Sequence, residues 1–542
     1  MPWSRLASVL TGVAALGSLG VTAAPPSVGA GAVRYSRVCG TETSDALFAN
    51  ESAKLGVEHA CEHLSARHYR PGMTTAAAVS TAAAVTDPTV VGTWSAAANP
   101  GTKTVAITSV LLNTGKVLMF GGKYRTTDKN TAAYVFDPTT GTGHEVPAPA
   151  AVYCSGVTVL SDGRILTVGG ASPVPHGIVN VYLFDPVGEQ WIRQPDTPLG
   201  RYYPSVVKLP DGRVVVVAGT ELDGQTNNPN VELYTPPAAG GTVGTLEVVG
   251  AAHPSSFYPR LWVLPDGTVL DVTVRAVSRL DPASWTWAKM PSLSVTRAAG
   301  PAGMMLPAGP EGSYRLLMTG GEMNKTALAS TETFDAANPT SGWRPAAPMP
   351  TTRAHMNLVQ VPDGSAYGIG GNSYDLYAQG QKSTLHYDPA SNAWATMALQ
   401  TPRRAYHSTA VLLPDGRIMS AGDNGAGGGG SVIDFYSPPY LFKGARPQIV
   451  TAPSQADYGS TFAITTSGPA PTRAVLMAPG ATTHADEMHA RHVELAVTPT
   501  PDGFSARMPG NAIAPPGWYM LFVLTADGVP SVANWIHVGP LN

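Results

Sequence analysis

The chain has 542 residues, enough for several domains or for one large repeat array with additions. Lys and Arg total 34 against 37 Asp and Glu, which leaves no basic surface to track phosphates and excludes nucleic acid as a natural partner. Charged residues make up 13%, about half the usual share, while 58 Gly and 49 Pro imply many turns rather than long helices.

Residues 1–24 read as an export signal. Arg5 supplies a thin positive start, Leu6 to Val21 is apolar and small, and Thr22-Ala23-Ala24 before Pro25-Pro26 offers small-residue cleavage sites. The expected location is secreted or extracellular, or periplasmic or cell-surface where the segment is retained as an anchor. The segment is short and Gly-rich for a bilayer span, and no membrane span is expected in the mature chain. Export favours disulfides, and a Cys39–Cys61 bridge would close a short loop worth ~2–4 kcal/mol. Cys154 is then left over; taken alone, a buried inert thiol is its ordinary fate.

Residues 31–90 form a small, partly helical preface. Asp45 to Arg67 has helical periodicity through Leu47, Phe48, Leu55, Val57 and Leu64. His59 and His63 share a helix face, but no third ligand accompanies them, so a solvated face is the plainer reading. Ala76 to Ala84 reads as a linker.

From residue 91 to 440 one unit repeats. In Arg403 to Asn424 an apolar, β-branched strand at Ser408 to Leu413 is answered across Pro414-Asp415-Gly416 by a second strand, Arg417 to Ala421. The turn glycines Gly115, Gly163, Gly212, Gly267, Gly364 and Gly416 are separated by 48, 49, 55, 97 and 52 residues. The gap of 97 holds a divergent unit whose strands are expected at Met304 to Leu306 and Tyr314 to Gly321. A period near 50 with Gly-Gly after the second strand is the kelch signature, and it predicts an all-β, seven-bladed kelch-type β-propeller. Asp-Pro turns followed by Trp191, Trp285 or Trp394 are blade-packing positions. After Pro438-Pro439 the pattern changes, and residues 445–542 predict an Ig-like β-sandwich.

Phase within the repeat singles out candidate site residues. Cys154, Tyr203, Tyr258, His355 and His407 each lie nine residues before their turn glycine, and Tyr406 lies ten before. Equal phase means equal height, so on innermost strands these side chains converge at one end of the axis. Imidazole with phenolate oxygen suits Cu(II), and a cysteine beside a tyrosine can be oxidised to a thioether-linked phenol. Neighbours on a regular strand point to opposite faces, so Tyr406 and His407 can meet one metal only if the strand starts irregularly there.

These segments resemble the galactose oxidase and glyoxal oxidase group, the copper radical oxidases. Arg403 to Asp423 carries the Tyr-His pair. Ala151 to Gly170 is similar to the blade with the cross-linking cysteine, and Arg201-Tyr202-Tyr203-Pro204 to the cross-linked tyrosine in its glyoxal oxidase form. Pro479 to His484 resembles the sandwich loop that sends a histidine up the axis, and Pro516 to Val532 the terminal strand pair. The resemblance covers residues 90–542. It implies one Cu(II) held by Tyr203, Tyr406, His407 and His484. It further implies a Cys154–Tyr203 thioether radical, and Tyr406 as the base that takes the substrate proton. The implied activity is oxidation of a primary alcohol or small aldehyde, with O2 reduced to H2O2.

The sequence also departs from that group. The stacking tryptophan of galactose oxidase would fall at Thr220-Glu221, where none stands; this tilts the reading towards the glyoxal oxidase side. Asp486 to His492 is altered, and His489 and His492 are expected at the surface of the sandwich loop. Tyr258 and His355 match no ligand and are expected to line the mouth or inner strands; Tyr202 is expected to pack there too. Asn50-Glu51-Ser52 and Asn324-Lys325-Thr326 fit glycosylation sequons. The alternative reading is a non-catalytic kelch propeller that binds glycan or a protein partner.

Overall fold

The computed structural model describes residues 86–540 apart from 123–130, 173–175, 225, 252–256, 308–313, 324–325, 374–379 and 424–429. The export segment, the preface with its expected Cys39–Cys61 bridge, and both sequon asparagines lie outside the described residues.

The repeated hairpin forms as its turn chemistry dictates. Ser408–Leu412 pairs antiparallel with Ile418–Gly422. Between them Leu413 N–H donates to Arg417 O at 2.8 Å and Gly416 N–H to Leu413 O at 2.9 Å. Gly416 sits at φ 86°, and the five equivalent turn glycines lie between 82° and 94°, a region that favours glycine. Third and fourth strands then add outward. Among the described residues seven sheets have this blade order. Their inner strands begin at Thr108, Gly156, Ser205, Arg260, Ala299, Asn357 and Ser408, here called blades 1 to 7. Blade 5 is the divergent unit, and its first two strands run longer than expected, Ala299–Met305 and Arg315–Met323.

Burial follows position in the blade. The four residues of Ile165–Val168 and of Val214–Val217 are all buried, because neighbouring blades cover both sheet faces. The outer strand Thr142–Glu145 is wholly exposed. Trp191 packs its edge against Phe120, Tyr182 and Phe184 and donates from Nε1 to Val146 O, stitching blade 2 to blade 1. Thr93–Trp94 pairs with Asp434–Ser437, so the first strand of the propeller sequence is the outer strand of blade 7. Trp94 Nε1 also donates to Thr384 Oγ1 in blade 6 at 2.9 Å.

The second unit is a sandwich of two sheets. One has the order Gln448–Thr451, Thr461–Ser467, Gly503–Arg507, Ala496–Thr500; the other Gln455–Ala456, Asn534–Val538, Gly517–Leu524, Arg473–Met477, His492–Glu494. Ile464, Leu476, Phe504, Leu521 and Ile536 fill its core. It docks on the end of the propeller that carries the Asp-Gly turns. Arg446 Nη1 donates to Asp415 O at 2.7 Å, Arg473 Nη1 to Asp363 O at 3.2 Å, and His537 Nε2 lies 2.9 Å from Ser161 O. Among the described residues, no helix is long and apolar enough to cross a membrane.

Candidate metal centre

The opposite ends of the inner strands converge on the axis. Each of blades 2, 3, 4, 6 and 7 is led in by one residue in the left-handed region: Cys154 (φ 59°), Tyr203 (65°), Tyr258 (47°), His355 (53°) and His407 (65°). Such a conformation costs a non-glycine residue roughly 1–2 kcal/mol, so the surroundings must hold it. They do: Tyr203 N–H donates to Cys154 O at 3.2 Å, and Tyr258 N–H to Tyr203 O at 3.1 Å, linking one blade to the next. In blade 5 the place is taken by Gly300 (φ 52°). A Cβ there would fall 2.5 Å from the His355 ring, so glycine makes room for that imidazole.

Buried arginines pin these lead-in loops. Arg201, Arg297, Arg353 and Arg404 stand two or three residues ahead of the left-handed residue and are no more than 1% exposed. Arg404 donates to Gly422 O at 2.7 Å and to Asp434 at 2.7 Å; Arg201 and Arg297 pair with Glu232 and Glu332. Arg353 has Ser383 Oγ and backbone carbonyls instead of a carboxylate, and burial lowers its pKa to about 9.

The irregular start that the Tyr-His pair requires is present. Tyr406 belongs to the loop, His407 is left-handed, and the strand begins at Ser408. Both rings can therefore turn to the axis, and they stack with centroids 3.9 Å apart.

The sandwich supplies the fourth element. Ala481–Thr483 pairs with the inner strand of blade 1 and turns back into Asp486–Glu487. Only His484 and Ala485 join these strands, and both have positive φ (52° and 63°), as a two-residue hairpin turn of the primed type requires. Arg260 holds the tip through Ala485 O at 3.4 Å and Asp486 at 3.4 Å. Glu487 Oε1 accepts from the backbone N–H of Ala481, His489 and Ala490 at 2.7 to 3.1 Å. Burial pushes the Glu487 carboxyl up to about 7 and that of Asp486 to about 6.

Thr483 sets the state of His484. Its Oγ1 lies 3.1 Å from Ile107 O, which can only accept, so the hydroxyl proton goes there. The same oxygen accepts from Thr108 Oγ1 at 3.0 Å and lies 2.6 Å from His484 Nδ1. Nδ1 therefore carries the ring proton, and Nε2 presents its lone pair to the axis.

These supports bring five side chains together. The ligand atoms of Cys154, His407 and His484 lie within 4.8 Å of one another. The hydroxyls of Tyr203 and Tyr406 are 2.7 Å apart, Cys154 Sγ is 3.3 Å from His484 Nε2, and the His407 and His484 rings are 4.6 Å apart at 87°. Burial pushes the Cys154 thiol well up, though the hydroxyls of Tyr153, Tyr203 and Tyr202 pull it back in part. Burial, and then the nearness of Cys154, likewise raises the Tyr203 phenol. Two imidazoles and two phenols, the Tyr203 phenol kept protonated by burial until a cation arrives, fit a Cu(II) site.

His492 falls differently from the sequence expectation. His492 is buried with Nε2 3.2 Å from Pro362 O, and His489 Nδ1 lies 2.8 Å from Pro479 O. His492 is therefore not a surface residue, because its strand packs against the propeller at Pro362, whereas His489 is half-buried in its own loop. Tyr202 is packed, stacking on Tyr203 at 4.1 Å and 24°, while its backbone bridges Thr220. Tyr258 packs on Tyr203 and His484, and His355 lies edge-on to Tyr406 at 4.7 Å. Sequence reasoning passed over Tyr153, whose hydroxyl lies 3.3 Å from His407 Nε2. The signal was available: Tyr153, Tyr202, Phe257 and Tyr406 all stand ten residues before their turn glycines.

A propeller of this build, threaded along its axis by a histidine from an appended sandwich, defines the copper radical oxidase class of oxidoreductases. The family described as glyoxal oxidase N-terminus matches residues 122–428, and the galactose oxidase-like early set domain matches 446–538. The chain belongs to the glyoxal oxidase family. It is 30% identical over 441 residues to an aldehyde oxidase, GLOX, of Vitis pseudoreticulata, covering 72% of this chain and 82% of that one. It is 28% identical over 479 residues to a WSC domain-containing protein of Arthroderma benhamiae, covering 80% of this chain and 51% of the relative. A galactose oxidase of Gibberella zeae is 25% identical over 446 residues, 71% of this chain and 61% of the relative. The chain thus spans about half to four fifths of these relatives. A solved fungal alcohol oxidase in complex with copper shares the fold, with a TM-score of 0.73 at 23% identity over 83% of this chain and 100% of that one.

Proposed function

We propose that the protein oxidises a primary alcohol or small aldehyde and passes the two electrons to O2, yielding H2O2. For an alcohol the balance is RCH2OH + O2 → RCHO + H2O2; an aldehyde reacts as its hydrate and leaves as the acid. The observation that carries this reading is the convergence of Tyr203, Tyr406, His407 and His484 with Cys154 against them. His407 and His484 would supply nitrogens to a copper ion, and Tyr203 and Tyr406 phenol oxygens. Bound copper together with a Tyr203 radical, stabilised by a thioether to Cys154, would supply the two-electron oxidising capacity.

The chain's own groups do the rest. Thr483 keeps His484 Nε2 free of its proton. The Tyr406 oxygen, 2.7 Å from that of Tyr203, is placed to take the substrate hydroxyl proton. Tyr202, lying flat on Tyr203, keeps water from that ring. The aldehyde oxidase among the relatives and the lack of tryptophan at Thr220-Glu221 support a small aldehyde as the favoured substrate. The test is a peptide mass map after aerobic incubation with Cu(II). A non-reducible link between the Cys154 and Tyr203 peptides, formed only with copper, is expected; free peptides in a folded, copper-loaded sample overturn the reading.

A further inference from the structure

Besides Tyr203 and Tyr406, the Tyr153 hydroxyl reaches a histidine of the cluster. Tyr153 precedes Cys154 as Tyr406 precedes His407, ten residues before its turn glycine, so the two residues stand at equivalent places in blades 2 and 7. Tyr406 reaches the Tyr203 oxygen. Tyr153 instead reaches His407 Nε2 at 3.3 Å, its ring edge-on to the imidazole with centroids 5.6 Å apart. The ring also faces His484 at 6.4 Å and is almost fully buried. The left-handed turn at Cys154 fixes this direction, since it breaks the strand alternation directly after Tyr153.

We propose that Tyr153 is a positioning residue with two successive partners: His407 Nε2 in the metal-free protein, and the oxygen atom of the bound alcohol or aldehyde hydrate once a metal holds that nitrogen. The inference rests on the copper oxidase reading. A metal held by Nε2 would occupy the ring nitrogen that the Tyr153 hydroxyl approaches at 3.3 Å, and that hydroxyl would then stand beside any ligand the metal binds. No electron or proton transfer is assigned to Tyr153; it donates one hydrogen bond. Its place beside the metal makes the two roles opposite in sign. In the free protein the hydroxyl competes with the metal; in the loaded protein it favours the incoming ligand.

The test compares wild type with Tyr153→Phe, using Cu(II) alone and then azide as a small anionic probe of the loaded protein. Cu(II) affinity, measured by competition with a chelator, should be unchanged or up to about tenfold tighter in Y153F. Azide affinity, followed by the visible spectrum, should fall about three- to tenfold, the loss of one hydrogen bond. KM for the substrate should rise more than kcat falls. Tyr153→Gln, which keeps a donor, should regain part of the azide affinity. Azide affinity unchanged in Y153F overturns the proposal. So does a joint fall of copper and azide affinity that Y153Q does not repair, which marks a packing role. If wild type itself fails to bind Cu(II), the copper reading falls instead, and this inference with it.

Discussion

Replacing Thr483 with Val removes one hydroxyl and almost no volume, so its effect isolates the hydrogen bonds that hold the histidine finger. Oγ1 joins Ile107 O, Thr108 Oγ1 and His484 Nδ1 at 3.1, 3.0 and 2.6 Å, all buried. Three bonds at about 1 kcal/mol each, with their partners left in an apolar setting, give a stability loss of about 2–4 kcal/mol. The effect on metal is separate. Without an acceptor at Nδ1, the ring proton redistributes to Nε2, and Cu(II) affinity should fall about 10- to 100-fold. Chelator competition measures the affinity, and denaturant unfolding of the metal-free protein measures the stability. Thr483→Ser should recover most of both. Cu(II) binding by T483V as tight as wild type would refute the tautomer argument, whatever happened to stability.

Four further outcomes are expected. Gly422→Ala should cost at least about 3 kcal/mol and weaken Cu(II) binding. Its φ is 84°, and a Cβ would lie 2.4 Å from Ala106 O and 2.5 Å from His407 O, so a crystal structure should show His407 displaced. Arg404→Met leaves the buried Asp434 carboxylate without its cation and should cost about 3–5 kcal/mol in urea unfolding; adding Asp434→Leu should return part of the loss. Trp94→Ala should lower stability by about 2–4 kcal/mol and raise proteolysis near blade 7, because it removes the tilted ring contact with Tyr436 and the bond to Thr384. Glu487 has a folded-state pKa raised to about 7, so the native protein binds its proton more tightly than the unfolded chain. Its contribution therefore favours folding at low pH and is lost as pH rises from about 4.5 through 7, by at most about 3 kcal/mol. Unfolding of Glu487→Gln between pH 5 and 8 should show a correspondingly flatter profile.

The repeat and its turns were legible because each Asp-Gly hairpin is a local decision. Gly416 and its five equivalents needed only their own turn to reveal a positive φ. The phase of Cys154, Tyr203, Tyr258, His355 and His407 was legible too, since identical hairpins place equal offsets at equal heights. What the count could not convey was the left-handed backbone at each of these residues, which depends on bonds to the neighbouring blade. The role of Tyr153 was not legible because its approach to His407 depends on the left-handed backbone at Cys154 and on a residue from another blade. The burial of His492 was not legible because it comes from the propeller at Pro362, not from its own segment. The hairpin at His484 lacks the Asn-Gly or Asp-Gly that usually marks a two-residue turn, so its tip carried no local signal.

The strand Thr93–Trp94 closes blade 7 and the hairpin at His484 reaches the cluster on the axis, although nearly 400 residues separate them. This imposes an order of manufacture. A nascent chain that has emerged only as far as the last blade has Cys154, Tyr203, Tyr406 and His407, but the nitrogen that completes the set is still inside the ribosome. The cluster cannot assemble on an unfinished molecule. Truncation, or failure of the sandwich to seat, leaves the propeller residues without the His484 nitrogen, so completeness of the polypeptide is itself the condition for a closed metal set.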